Sequence, residues 1–145
     1  MKSKVSSILQ KEQFGVLTTI SIKFPHMSKV AFVHDKDLKS IYFITPSRTR
    51  KYDNIMLNNN VALFLDNAKK MSADICNSIG ITAKGTAIAL EEHECIEALE
   101  KFIIKYPDLR EFAKAENSVM FKLHIDRYEI VEKFKHVSSL KADDL

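Results

Sequence analysis

From Thr45 the chain reads Thr-Pro-Ser-Arg-Thr-Arg-Lys, and the last five of those residues hold two hydroxyls and three cations. Hydroxyls donate to phosphate oxygens, and Arg and Lys add charge-assisted bonds about twice as strong as neutral ones. The residues just before, Ile41-Tyr-Phe-Ile44, are β-prone, and those just after, Tyr52-Asp-Asn-Ile-Met-Leu57, carry helical spacing. A strand would deliver the loop, and the free N–H groups at the start of the helix would favour an anion. The same residues also suit a solvated basic turn, so the rest of the chain has to weigh in.

Little else in the sequence offers chemistry. No GxGxxG follows a strand, and neither GxxxxGK[ST] nor GxSxG occurs. His93-Glu94 opens like a zinc-protease helix, but Glu97 stands where the second histidine is needed. His26, His34, His124 and His136 lack ligand spacing, and Glu91, Glu92, Glu94 and Glu97 make a solvated helix face. Cys76 and Cys95 form no CxxC, which predicts reduced thiols, with Cys95 in a packing role. A net charge of +3 argues against a dedicated nucleic-acid binder. Its distribution is uneven: residues 1–70 hold 12 Lys/Arg against 5 Asp/Glu, and residues 71–145 hold 10 against 14. An anion is therefore expected in the first half.

The elements that position the loop can be read from periodicity. The 145 residues, 46% apolar and 28% charged, predict one globular domain with a core at about 10–135 and a polar, frayed tail over 136–145. No apolar run has the length of a membrane span, and the first residues form no signal core, which predicts a cytoplasmic protein. Val5, Ile8 and Leu9 predict a helix over 2–12, with Ser3 as its cap. A strand over 14–22 follows, with Val16, Thr18, Ile20 and Ile22 on one face. Residues 28–33 read as a second strand, 34–40 as a hairpin loop, and 41–44 as the strand that delivers the basic loop. After the helix, which Asn58-Asn-Asn60 closes, the apolar run 61–65 predicts a strand buried on both faces.

Residues 66–78 read as a loop. Residues 79–90 form a long strand in which Gly85 predicts a bulge, a bend or a close backbone approach. Residues 91–106 form the clearest helix, stopped by Pro107 and followed by a short helical piece at 109–115. Strands 118–125 and 128–134 complete six or seven strands against three or four helices. The short connections predict a mainly β, largely antiparallel barrel, closed or nearly so.

Lys29-Val-Ala-Phe-Val-His34, Ile41-Tyr-Phe-Ile-Thr45, Thr49-Arg-Lys51, Asn54-Ile55 and Asn58-x-x-Val61 together resemble the pyridoxamine 5′-phosphate oxidase-like flavoproteins, the FMN-binding split β-barrels. Gly85-Thr-Ala, the acidic helix and Tyr128-x-Ile-Val-x-x-Phe134 continue the likeness, which covers about 10–135. The resemblance implies FMN in a cleft between the subunits of a homodimer, and an oxidoreductase acting on a small molecule. By position, Arg50 and Lys51 would hold the phosphate, with hydroxyl bonds from Thr45 and Thr49. Lys29, Val30, Ala31 and Phe32 would lie along the flavin ring, largely through backbone groups, with Ile44 nearby. Tyr42 and His34 would fall near the cleft.

The chain departs from the oxidase proper in having Lys29 for an arginine, His34 for a lysine and Gly80 for a glutamine. Arg127-Tyr128-Glu129 also lacks the histidine of its substrate-binding element. The resemblance thus carries the fold and the cofactor, not that enzyme's substrate. Two other readings use the same residues: a barrel that binds FMN or haem without catalysing, and a phosphoprotein or nucleic-acid module built on Arg48, Arg50 and Lys51.

Overall fold

The computed structural model describes residues 1–68 and 72–145. Among them run, in order, α1 (Lys2–Lys11), β1 (Gly15–Thr19), β2 (His26–Val30), β3 (Phe32–His34), β4 (Ser40–Pro46), α2 (Arg50–Leu57), β5 (Asn60–Asp66), β6 (Ile79–Ala89), α3 (Ile96–Lys105), α4 (Arg110–Lys114), β7 (Ser118–Glu132) and β8 (His136–Lys141). Every pairing is antiparallel, in the order β2-β1-β5-β6-β7-β4-β3, with β8 added on β7. The two ends of that order, β2 and β3, are separated along the chain by Ala31 alone. The sheet therefore curls until its ends are joined by one residue, which gives the mainly β, half-barrel architecture.

One edge of β7 runs along β6; the other serves β4 at residues 118–124 and β8 at residues 127–132. Where the partner changes, the ladder against β6 steps from Gly85↔Ile125 to Lys84↔Arg127, leaving Asp126 as the extra residue of a bulge. A Cβ on Gly85 would lie 1.9 Å from the His124 carbonyl oxygen, so this close approach requires glycine.

Inside the curl, Leu17, Phe32, Phe43, Leu63, Ile81, Phe121, Leu123 and Tyr128 are fully buried, with Val5, Ile8 and Leu9 of α1 packed among them. Phe43 and Phe121 face each other across β4 and β7, their rings stacked at 5.4 Å. A second cluster lies on the opposite face of β3, β4 and β7. There Ala98, Phe102, Tyr106 and Ala113 cover Val33, Tyr42, Ile44 and Met120. No helix among the described residues is long and apolar enough to cross a membrane.

Several expectations are corrected. Residues 28–33 are two strands, because the chain must pass from one end of the sheet to the other at Ala31. Residues 118–132 are one strand, since Asp126 is absorbed by the bulge and Arg127 is already paired with Lys84. The predicted frayed tail contains β8, whose Leu140 is buried beside its ladder partner Tyr128. Strand β5 alternates, with Val61, Leu63 and Leu65 buried and Phe64 exposed. β1 ends at Thr19, and Gly15, Leu17 and Thr19 are its buried residues, so Ile20 and Ile22 lie beyond it and exposed.

The acidic helix begins as a short 3-10 turn, Glu92–Glu94, with α3 starting only at Ile96, which is exposed. Met1, not Ser3, occupies the N-cap position of α1 and makes no side-chain capping bond, and Asn58 leaves α2 in an extended rather than a left-handed conformation. Of the predicted loop 66–78, Ser72–Asn77 form a 3-10 turn, and residues 69–71 lie outside the described residues.

Gly85→Ala is expected to lower stability by about 1–3 kcal/mol, because the new methyl meets backbone that cannot rotate away. A lower urea midpoint at unchanged m would register it; an unchanged midpoint would remove the close-approach argument.

Candidate functional site

The basic loop is shaped by its hydroxyls. Thr45 is fully buried, and its Oγ1 lies 2.9 Å from Thr49 Oγ1. Thr49 donates to the Pro46 carbonyl at 3.0 Å and, as N-cap of α2, accepts from the Tyr52 N–H at 3.3 Å. The Ser47 N–H donates to the Asn117 carbonyl at 2.8 Å, tying the loop to the start of β7. Both threonine hydroxyls thus hold the turn that launches α2.

Successive side chains on a helix diverge by roughly 100°, and Arg50 and Lys51 take different sides. Arg50 lines a groove with Ile22, Phe24, Asp53 and Leu57. Lys51 enters a slot of about 530 Å³ lined also by Gln13, Phe14, Lys29, Val30, Ala31, Ile44, Pro46, Tyr106, Leu109 and Phe112. Five of the nine predicted residues meet there: Lys29, Val30, Ala31, Ile44 and Lys51. Phe32, Thr45, Thr49 and Arg50 do not line it. Arg48 is exposed on the loop.

The slot is an apolar box with cations at its margin. Lys29 Nζ rests 4.3 Å from the centre of the Phe14 ring. Lys51 is half-buried, its pKa is lowered by burial alone, and it has no ion pair among the described residues. A partly desolvated ammonium with no carboxylate paired to it among the described residues has the charge to attract an anion.

The far wall comes from the end of α3, which holds none of the site residues expected from the sequence. Tyr106 Oη accepts from the Phe32 N–H at 3.1 Å and donates to the Phe32 carbonyl at 2.9 Å. Lys105 Nζ donates to the same carbonyl and to the Leu9 carbonyl near the end of α1, both at 3.2 Å, and lies 4.0 Å from the centre of the Phe32 ring. Burial lowers the pKa of Lys105 to about 8, with Glu12 pulling weakly the other way. An aromatic at the stop of a helix, just before Pro107, was the available signal for this wall.

Tyr42 and His34 lie beside α3 and away from the slot lining. Tyr42 donates to Asp35 Oδ2 at 3.0 Å, and Lys101 lies 3.6 Å from the other oxygen of Asp35. Burial and then the Asp35 bond push the Tyr42 pKa up to about 12, which makes it a poor proton donor near neutrality. His34 Nδ1 lies 2.9 Å from the Asp35 carbonyl, so it donates there. Burial, with Lys105 and Lys101 nearby, lowers the His34 pKa and favours the neutral ring.

A family model described as pyridoxamine 5′-phosphate oxidase matches residues 1–132. No curated protein matches the sequence at a significant level. Among solved structures, the chain is similar to general stress protein 26 of Bacillus anthracis str. Sterne, with TM-score 0.74, 23% identity and 97% of each chain covered. It is similar to a haem-binding protein of Mycobacterium smegmatis, with TM-score 0.85 and 14% identity over 99% of this chain; the match spans only 58% of that protein. It is also similar to an FAD-binding protein of Mesorhizobium loti, with TM-score 0.71 and 10% identity over 88% of this chain and 91% of the other. At these identities the structural likenesses show the fold alone.

Lys105 gives the site a pH signature. Folded, it releases its proton near pH 8; in the unfolded chain the ordinary value is 10.5. Between those values the unfolded chain holds more protons, so this group makes stability rise with pH across that window and contributes no slope below it. In Lys105→Met that rise is expected to vanish. Urea midpoints on either side of pH 8 measure it, and an identical pH dependence in both proteins would refute the assignment.

Proposed function

From a chain that belongs to the pyridoxamine 5′-phosphate oxidase-like split-barrel family, we propose a flavoprotein: the slot holds FMN, and the protein is an oxidoreductase acting on a small molecule as a cytoplasmic homodimer. The observation that carries this reading is the half-buried Lys51, without an ion pair among the described residues, at the margin of an apolar slot. FMN has the matching form, a flat ring system with a phosphate that carries close to two negative charges. The volume of about 530 Å³ falls within the roughly 300–1,000 Å³ typical of cofactor sites.

Lys51 would answer the phosphate, and Thr45 and Thr49 fix the loop from which it projects. Val30 and Ala31 would hold the ring through their backbone, and Phe14, Ile44 and Phe112 would keep water from it. Bound there, FMN would supply the electron or hydride transfer, and the protein the orientation.

The homodimer is supported by exposed apolar residues on neighbouring elements. Phe64 on β5 and Ile88 on β6 are exposed, as are Ile20 and Ile22 after β1 and Met56 and Leu57 on α2. A second copy covering them would remove apolar surface from water. The whole chain would act as one domain.

Haem is the competing occupant of the same slot. Among the described residues, histidine, cysteine and methionine, the usual axial ligands, are absent from its lining, and the Tyr106 hydroxyl is already engaged with Phe32. The donor set suits a phosphate-bearing flavin better.

The visible spectrum of freshly purified protein is expected to show a flavin, or to acquire one on titration with FMN. Lys51→Ala is expected to raise the Kd for FMN about 10- to 100-fold, the equivalent of about 1.5–3 kcal/mol for a charge-assisted contact. Arg50→Ala should cost less, its side chain lying in the neighbouring groove. A Soret band, or a colourless protein indifferent to FMN, would overturn the reading.

A further inference from the structure

We propose that Tyr106 is a positioning residue of the site: its hydroxyl, backed by the Lys105 ammonium, holds the strand crossing at Ala31 in the shape that the flavin ring needs. This rests on the FMN reading above and deepens it.

The crossing interrupts the strand ladder beside the slot. Val30 is still laddered to Gly15 and Phe32 already to Phe43, but Ala31 belongs to neither strand, and it lines the slot with Val30. Its geometry is therefore set by what holds its neighbours. On one side that is the β1–β2 ladder. On the other, one hydroxyl serves both the N–H and the carbonyl of Phe32. Tyr106 thus takes the place that a further strand would occupy along β3.

The Lys105 ammonium shares that carbonyl and reaches the Leu9 carbonyl of α1, so three elements converge on the residue next to the crossing. An ammonium is costly to desolvate, and its lowered pKa records that cost at this position. Tyr106 also lines the slot. One residue both forms the wall and fixes the floor, and the two roles separate by deleting a single oxygen.

The test is Tyr106→Phe, which keeps the ring and removes the hydroxyl. Two quantities are measured on the full-length protein: the Kd for FMN from flavin fluorescence, and hydrogen exchange of the Phe32 amide resolved by NMR. The expected result is a Kd raised on the order of tenfold together with faster exchange at Phe32, while amides of β6 exchange as before.

An unchanged Kd overturns the proposal whatever the exchange shows. A weakened Kd with unchanged Phe32 exchange also overturns it, because the hydroxyl would then be meeting the ligand directly. If the wild-type protein binds no FMN, the cofactor reading fails by itself, and the exchange comparison alone decides whether the hydroxyl holds the crossing. Should Tyr106→Phe not fold, Lys105→Met, which removes another donor from the same carbonyl, is read by the same two measurements.

Discussion

β7 has two edges and three partners, and that mismatch shapes the molecule around it. A 15-residue strand laddered along one edge to β6 cannot stay straight while its other edge passes from β4 to β8. The ladder yields at Asp126, the single residue it can skip, and Gly85 opposite admits the approaching His124 carbonyl. The bulge twists the sheet there. Curling the sheet in this way lets β2 and β3 meet through Ala31, so the slot, though distant from the bulge along the ladder, depends on it.

The cations of the protein divide by how they are satisfied. Lys4 with Glu132 and Lys84 with Glu129 are partly exposed pairs of the kind worth about 1 kcal/mol or less. Lys105 is half-buried but has backbone carbonyls to bond. Lys51 is half-buried, has neither an ion pair nor a carbonyl bond among the described residues, and stands beside the apolar floor. Charge without compensation is the electrostatic mark of a site that expects a ligand, and it singles out one lysine from a run of three adjacent cationic side chains in four residues.

Much of the fold was legible where local pattern and global fold agree. Val5, Ile8 and Leu9 marked the buried stripe of α1, Gly85 marked the bulge, and Pro107 marked the end of the long helix. What escaped depended on partners remote in the chain. Asp126-Arg127 has the composition of a turn, and only pairing with β6 makes it part of a strand. Leu140 sits in a polar tail, and its burial follows from lying opposite Tyr128. Of the slot residues, Lys51 was legible from the basic loop, while Lys29, Val30, Ala31 and Ile44 came only through the family resemblance. Tyr106 was not, because periodicity counts an aromatic on a helix face as packing and is blind to its hydroxyl. The separation of Arg50 from Lys51 was available in principle, since helical geometry sends consecutive side chains apart.

The single-residue link at Ala31 also governs when the slot can exist. Its floor joins strands that lie at opposite ends of the sheet order, so both β1 and β4 must be in place before Val30 and Phe32 can be held in register. A half-assembled sheet offers no floor and no wall. Any molecule that enters the slot recognises only the finished barrel, and by mass action it draws the population towards that state. The protein would in this way carry a built-in proofreading of its own assembly, with occupancy reporting that the chain has closed.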